Sequence, residues 1–183
     1  MLVRWLAVLL CATSVQADCV SVEEQHLFAL INSYRAAHRL ARIPMSASLT
    51  LVARTHVRDL AANHPDRGAC NLHSWSSKGG WTPCCYTSNH RAAKCMWEKP
   101  REISGYPSDG YEIASEAWPG APAEEHLEGW KSSEAHHEVM LNRGTWSDMR
   151  FQAMGVGIFD RYAVVWFGTQ PDPKRAPEPC KSQ

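Results

Sequence analysis

The sequence lacks any run of about 18 apolar residues, the minimum for a helix that crosses a bilayer. Its early run Trp5–Ala12 falls well short, so a membrane-embedded mature form is not expected. It also lacks charge of either sign in excess, with 19 Lys plus Arg against 19 Asp plus Glu, and has no basic run. That balance leaves no electrostatic footprint for nucleic acid or an anionic membrane surface. No paired C-x-x-C is present, which argues against a thiolate metal site or a redox motif. No G-x-S-x-G nucleophile turn is present either.

What is there begins with MLVRWLAVLLCATSVQA, which has one early Arg, an apolar stretch and a small-residue ending. These are the three parts of a secretory signal, and cleavage is expected after Ala17. Leu10 is bulky where a lipoprotein signal wants a small residue before its cysteine, so lipidation of Cys11 is the weaker reading. Arg4 is the only charge lost with the signal, giving the remainder a net of about −1. Residues 18–183 suit one domain able to bury a sizeable core, with an extended tail from about 170.

Six cysteines remain after the signal: Cys19, Cys70, Cys84, Cys85, Cys95 and Cys180. An even number in an exported chain reads as three disulfides. Cys19 and Cys180 stand at opposite ends and are expected to pair. Adjacent Cys84 and Cys85 would strain a ring joining them, so each should take one of Cys70 and Cys95. A metal site from Cys84, Cys85, His90 and Cys95 is the rival, disfavoured by an oxidising compartment.

SVEEQHLFALINSYRAAHRLARI opens with Ser21 and Glu24 in capping-box spacing and carries Leu27, Leu30, Ile31 and Tyr34 at helical intervals. This helix should end near Ile43–Pro44. SASLTLVARTHVRDLAANH is a second helix, stopped by Asn63-His64-Pro65, with His56 on its apolar face. From Pro65 to Asp109 the pattern dissolves into a long Gly-, Pro-, Ser- and Cys-rich loop that needs stapling. GYEIASEAW reads as a short strand, and APAEEHLEGWKSS as a helix with Pro122 near its first turn. FQAMGVGIFD and YAVVWFGTQ read as a hairpin, with Gly155 and Gly157 marking a close approach or a bulge. Helices around a late hairpin imply an α+β fold with an antiparallel sheet covered by helices. Trp130 and Trp166 sit in patterned segments as core residues, while Trp75, Trp81 and Trp97 could line a rim.

Four segments, in order, resemble the CAP domain of cysteine-rich secretory proteins, venom allergens, plant pathogenesis-related proteins and short bacterial secreted proteins. They are NSYRAAHRLARIPMSASLTLVARTHVRDLA, like the family's N-x-x-R helix and following small-residue helix; NLHSW, like its His-Ser; GYEIA, like its Gly-Glu-Asn-Ile-Ala; and GWKSSEAHHEVMLN with MGVGIFDRYAVVWFG, like the bacterial W-x-x-S-x-x-H-x-x-x-L-L-N and its paired strands. The resemblance covers roughly residues 22–169. It implies a three-layer α-β-α sandwich whose cleft is lined by two His and two acids.

Carried over residue by residue, the His of the His-Ser motif is His73, and the His six residues after the Trp is His136. Neighbours on a helix diverge by about 100°, so His137 is read as solvent-side. The family carboxylate falls on Glu112, one position late, where a regular strand would turn it away unless a bulge corrects it. Glu116 is the alternative acid. The family's second acid is replaced by Ser133. His56 is read as a core histidine in preference to a cleft residue.

The resemblance implies a secreted, extracellular or periplasmic, monomeric binding module. Its ligand would be a divalent metal, lipid, peptide or protein partner. His73, His136 and Glu112 together would give an open zinc site, weakening as pH falls through about 6.5. A metal-dependent hydrolase using the same cleft is the alternative. A thiol-disulfide enzyme is a third, weaker reading.

Overall fold

The computed structural model describes residues 19–181. The expected signal segment, 1–17, therefore lies outside the described residues. Helix α1 (Val22–Ala37) starts with the capping box read from the sequence: the Glu24 amide donates to Ser21 Oγ at 3.2 Å and the Ser21 amide to Glu24 Oε2 at 2.9 Å. Its end differs from expectation. The helix stops at Ala37, and Arg39 takes a left-handed conformation (φ 62°). Segment 38–43 folds back because Asn32 holds it, accepting from the Ile43 amide (2.8 Å) and donating to the Ile43 carbonyl (3.2 Å).

Helix α2 (Ala47–Asn63) is capped by Ser46, whose Oγ accepts from the Leu49 amide at 3.0 Å. It ends at His64, left-handed at φ 47°, just before Pro65. Two short helices, α3 (Ala93–Trp97) and α4 (Lys99–Ser104), interrupt the stretch expected to be irregular. At five and six residues they are too short for hydrophobic periodicity to register. Strand β2 (Gly110–Glu116) follows β1 (Cys19–Val20). Helices α5 (Ala123–Ser132) and α6 (Glu134–Leu141) are separated by a single extended residue, Ser133. Strands β3 (Ala153–Phe159) and β4 (Tyr162–Gly168) form the hairpin, and β5 (Glu178–Pro179) pairs in parallel with β1.

The main sheet is antiparallel in the order β2-β4-β3. Period-2 alternation sends Val164 and Trp166 to one face with Leu49, Val52, Ala53 and Leu60 of α2, and Val165 and Phe167 to the other with Leu27, Ile31, Leu127 and Trp130 of α1 and α5. The result is the expected three-layer α-β-α sandwich. Gly155 and Gly157 mark close approach, with no bulge in the ladder. A Cβ on Gly155 would lie 2.1 Å from the Leu49 carbonyl carbon, so α2 rests directly on β3. Trp130 and Trp166 are fully buried, as expected.

Three disulfides close the chain as anticipated: Cys19–Cys180 ties the ends beside the β1-β5 pair, while Cys70–Cys85 and Cys84–Cys95 staple the long loop. A Trp75–Cys84 bridge of backbone hydrogen bonds, 2.7 and 2.9 Å, reinforces it.

Candidate functional site

Glu112 sits in the middle of β2, whose pairing with β4 is unbroken from Gly110 to Glu116. No bulge is needed to aim its side chain. Tyr111 and Ile113 take the α1 and α5 face, so Glu112 falls on the α2 face, where it is 5% exposed. Both carboxylate oxygens are engaged there. His56 Nδ1 donates to Oε2 at 2.6 Å, and His73 Nδ1 donates to Oε1 at 2.7 Å. Glu116 is exposed and pairs instead with Arg161 at 3.2 Å, so Glu112 is the acid that meets the histidines.

His56 is the residue that the sequence reading set aside. It is fully buried on α2, and its Nε2 lies 2.9 Å from the Ser74 carbonyl oxygen. Both of its nitrogens thus face oxygen atoms, which fixes the orientation of the ring. Trp75, buried instead of rimming the site, stacks flat on His56 with centroids 4.1 Å apart. Together His56 and Trp75 make a rigid floor under Glu112.

His73 is 18% exposed in its side chain, and because Nδ1 is spent on Glu112 its Nε2 remains the free nitrogen. Its ring lies 6.5 Å, centroid to centroid, from that of His136 on the first turn of α6. The loop supplies a further wall: Tyr86 meets the His73 ring edge-on at 5.2 Å, and its hydroxyl bonds His90 Nδ1 at 2.9 Å. His137 is half-buried, not solvent-side, because the Tyr34 hydroxyl bonds its Nε2 at 2.9 Å. Ser133 forms the joint between α5 and α6. Its carbonyl accepts from the His137 amide at 2.8 Å, and its hydroxyl has no hydrogen bond to the histidines or Glu112 among the described residues.

The electrostatics follow from this packing. Burial alone would raise the Glu112 carboxyl, but the charge and hydrogen bond of His56, then those of His73, hold it below the ordinary carboxylate range. His136 is pushed down to about 4 by burial and then by nearby His73, with the Glu112 charge opposing. It is therefore neutral at physiological pH. Tyr86 is raised by burial and by the Glu112 charge.

Among the described residues no group of three or more His, Cys, Asp and Glu is arranged to hold a metal ion. The donor set fits a cation through two imidazoles only. With Zn–N bonds of about 2.1 Å, two rings at 6.5 Å come within reach of one ion by modest side-chain rotation. Glu112 stands behind His73 as an orienting group, the usual partner of a ligating imidazole.

A profile of the cysteine-rich secretory protein family, CAP, matches residues 28–147. Comparison with the curated proteins finds no match. Among solved structures, the chain is similar to an extracellular protein containing an SCP domain from Bacillus anthracis, at 20% identity and a TM-score of 0.58. It is also similar to an outer surface protein from Borrelia burgdorferi (16%, 0.55) and to a cysteine-rich secretory protein from Staphylococcus aureus (13%, 0.52). Each alignment covers 81% of the chain. It spans 40% of the Bacillus protein and 38% of the Staphylococcus protein, but 92% of the Borrelia protein.

Proposed function

Since the chain belongs to the cysteine-rich secretory protein (CAP) family, we propose that it is an exported binding module whose cleft presents His73 and His136 to a divalent cation such as zinc. The observation that carries this reading is the fixed tautomer of His73. Its Nδ1 proton is committed to Glu112, itself clamped by His56, so the lone pair on Nε2 is left on the side of His136. His136, neutral down to about pH 4, offers a second imidazole at no proton cost.

The same geometry favours binding over hydrolysis. A general base needs a lone pair within reach of a water, and the Glu112 side chain is fully buried with each oxygen already accepting from a histidine. A bound cation would supply a Lewis-acidic anchor for a carboxylate or carbonyl of a peptide or lipid ligand. Export is supported by the signal-like residues 1–17 and by three disulfides.

Calorimetric titration with zinc at neutral pH tests the reading. Wild-type protein should bind one ion, and His73→Ala and His136→Ala should each weaken it about tenfold or more while the fold persists. No uptake by the wild type, or loss on His137→Ala with His136→Ala unaffected, would overturn it.

A further inference from the structure

A cleft of about 540 Å³ opens between the turn after α1 and the segment before β3. Three arginines line it: Arg35, Arg39 and Arg150. No acidic side chain does. Leu40, Met149 and Phe151 supply an apolar wall.

Arg35 is 4% exposed, and every acceptor it finds is neutral. Its Nε and Nη2 donate to the Ala41 carbonyl (3.4 and 3.3 Å), and its Nη1 donates to the Met140 carbonyl (2.5 Å) and Asn142 Oδ1 (2.8 Å). Burial without a carboxylate holds its guanidinium down at about 10, a sign that the charge is uncompensated. Arg39 is exposed and set at the rim by its left-handed backbone. Arg150 Nη1 reaches only the Ser147 and Met149 carbonyls, at 3.4 and 3.1 Å.

Just outside, Arg143 donates to His38 Nδ1 at 3.3 Å. Among the described residues, carboxylate partners go to Arg54, Arg101, Arg161 and Arg175, and to none of these four arginines. Three guanidinium groups without a carboxylate partner thus line one concavity in a chain with no net charge. An architectural role accounts for Arg35, which ties α1 to the end of α6. It does not account for Arg39 and Arg150, which bridge nothing across the cleft.

We propose that this cleft is an oxyanion pocket that takes a phosphate-class dianion, either free or carried as a monoester on an organic ligand. Guanidinium forks match phosphate oxygens in pairs, and an anion held against a buried, uncompensated cation is screened little by solvent. The apolar wall suits the body of an organic monoester.

The test is calorimetric titration of the full chain with inorganic phosphate, with n-octyl phosphate, and with n-octanol as the uncharged control. Phosphate or octyl phosphate should bind and octanol should not. The double variant Arg39→Gln/Arg150→Gln should raise the Kd by about tenfold or more, while Arg58→Gln/Arg67→Gln, removing two exposed arginines elsewhere, should change it by less than about twofold. His73→Ala should leave binding unchanged, separating this pocket from the histidine cleft. Tighter octyl phosphate binding identifies a monoester source, and equal binding a free anion; both support the pocket. No binding of either phosphate at millimolar concentration, or equal weakening by the two double variants, overturns it. Both variants leave Arg35 and its packing in place, so loss of fold does not confuse the result.

Discussion

At the residue scale, one carboxylate organises the site. Glu112 accepts from two histidines on different elements, and removing its charge leaves His56 buried against a neutral partner. Glu112→Gln keeps the shape but can accept with only one of its two polar groups. It should cost about 2 kcal/mol in a urea unfolding experiment, the loss typical of leaving a buried hydrogen-bonding group without its partner. The same variant should weaken zinc by about tenfold or more through loss of the His73 tautomer.

His136 makes a pH prediction at the same scale. Its folded-state pKa, about 4, lies below the ordinary histidine value of 6.5, so between those pH values the unfolded chain binds more protons than the folded one. Stability should therefore fall as pH drops from about 6.5 to about 4, and His136→Gln should flatten that decline. Urea midpoints at pH 7 and pH 5 measure it. An equal slope in variant and wild type would show that His136 is not the buried neutral base described.

At the element scale, the site is spread over α2, the stapled loop, β2 and α6, and it holds together only while the loop stays docked. Cys70–Cys85 closes the segment that carries His73, Ser74 and Trp75. Replacing both cysteines with serine should lower stability by about 3 kcal/mol on the chain-entropy account. Zinc affinity should fall by about tenfold or more, because His73, Ser74 and Trp75 all lose their support. Retention of wild-type affinity in this variant would show that β2 and α2 alone position the loop.

Strand β2 and the hairpin were legible because short apolar runs of strand composition and their flanking residues are local signals. The end of α1 was not, because the force that stops it, Asn32 holding Ile43, acts across eleven residues. His56 was indistinguishable from a core histidine for a similar reason: its helix face is apolar, and its partner Glu112 lies 56 residues away. Ser133, taken as the counterpart of a family acid, turns out to be the joint between two helices, a role that the side chain alone does not announce.

At the scale of the whole molecule, the sandwich serves to bring one residue from each layer to a common point. His56 comes from the helix on one face, Glu112 from the sheet, and His136 from the helix on the other side, while the loop brings His73 over the top. Three of these four, His73, Glu112 and His136, are the positions that the resemblance implies. The fourth, His56, is what turns a polar cleft into a fixed hydrogen-bond chain. The arginine cleft lies at the C-terminal ends of α1 and α6 and the histidine cleft at the first turn of α6, so the two proposed binding places are chemically opposite.

The central claim is that His73 is locked with its proton on Nδ1 and its Nε2 free to share a cation with His136. A long-range ¹H–¹⁵N spectrum of the imidazole nitrogens, recorded near neutral pH before and after adding one equivalent of zinc, reads this directly. The account predicts the Nδ1–H tautomer for His73 and a neutral ring for His136 without metal, with zinc shifting one nitrogen of each ring and leaving His137 unmoved. A His73 proton found on Nε2, or zinc shifting His137 in place of His136, would contradict it.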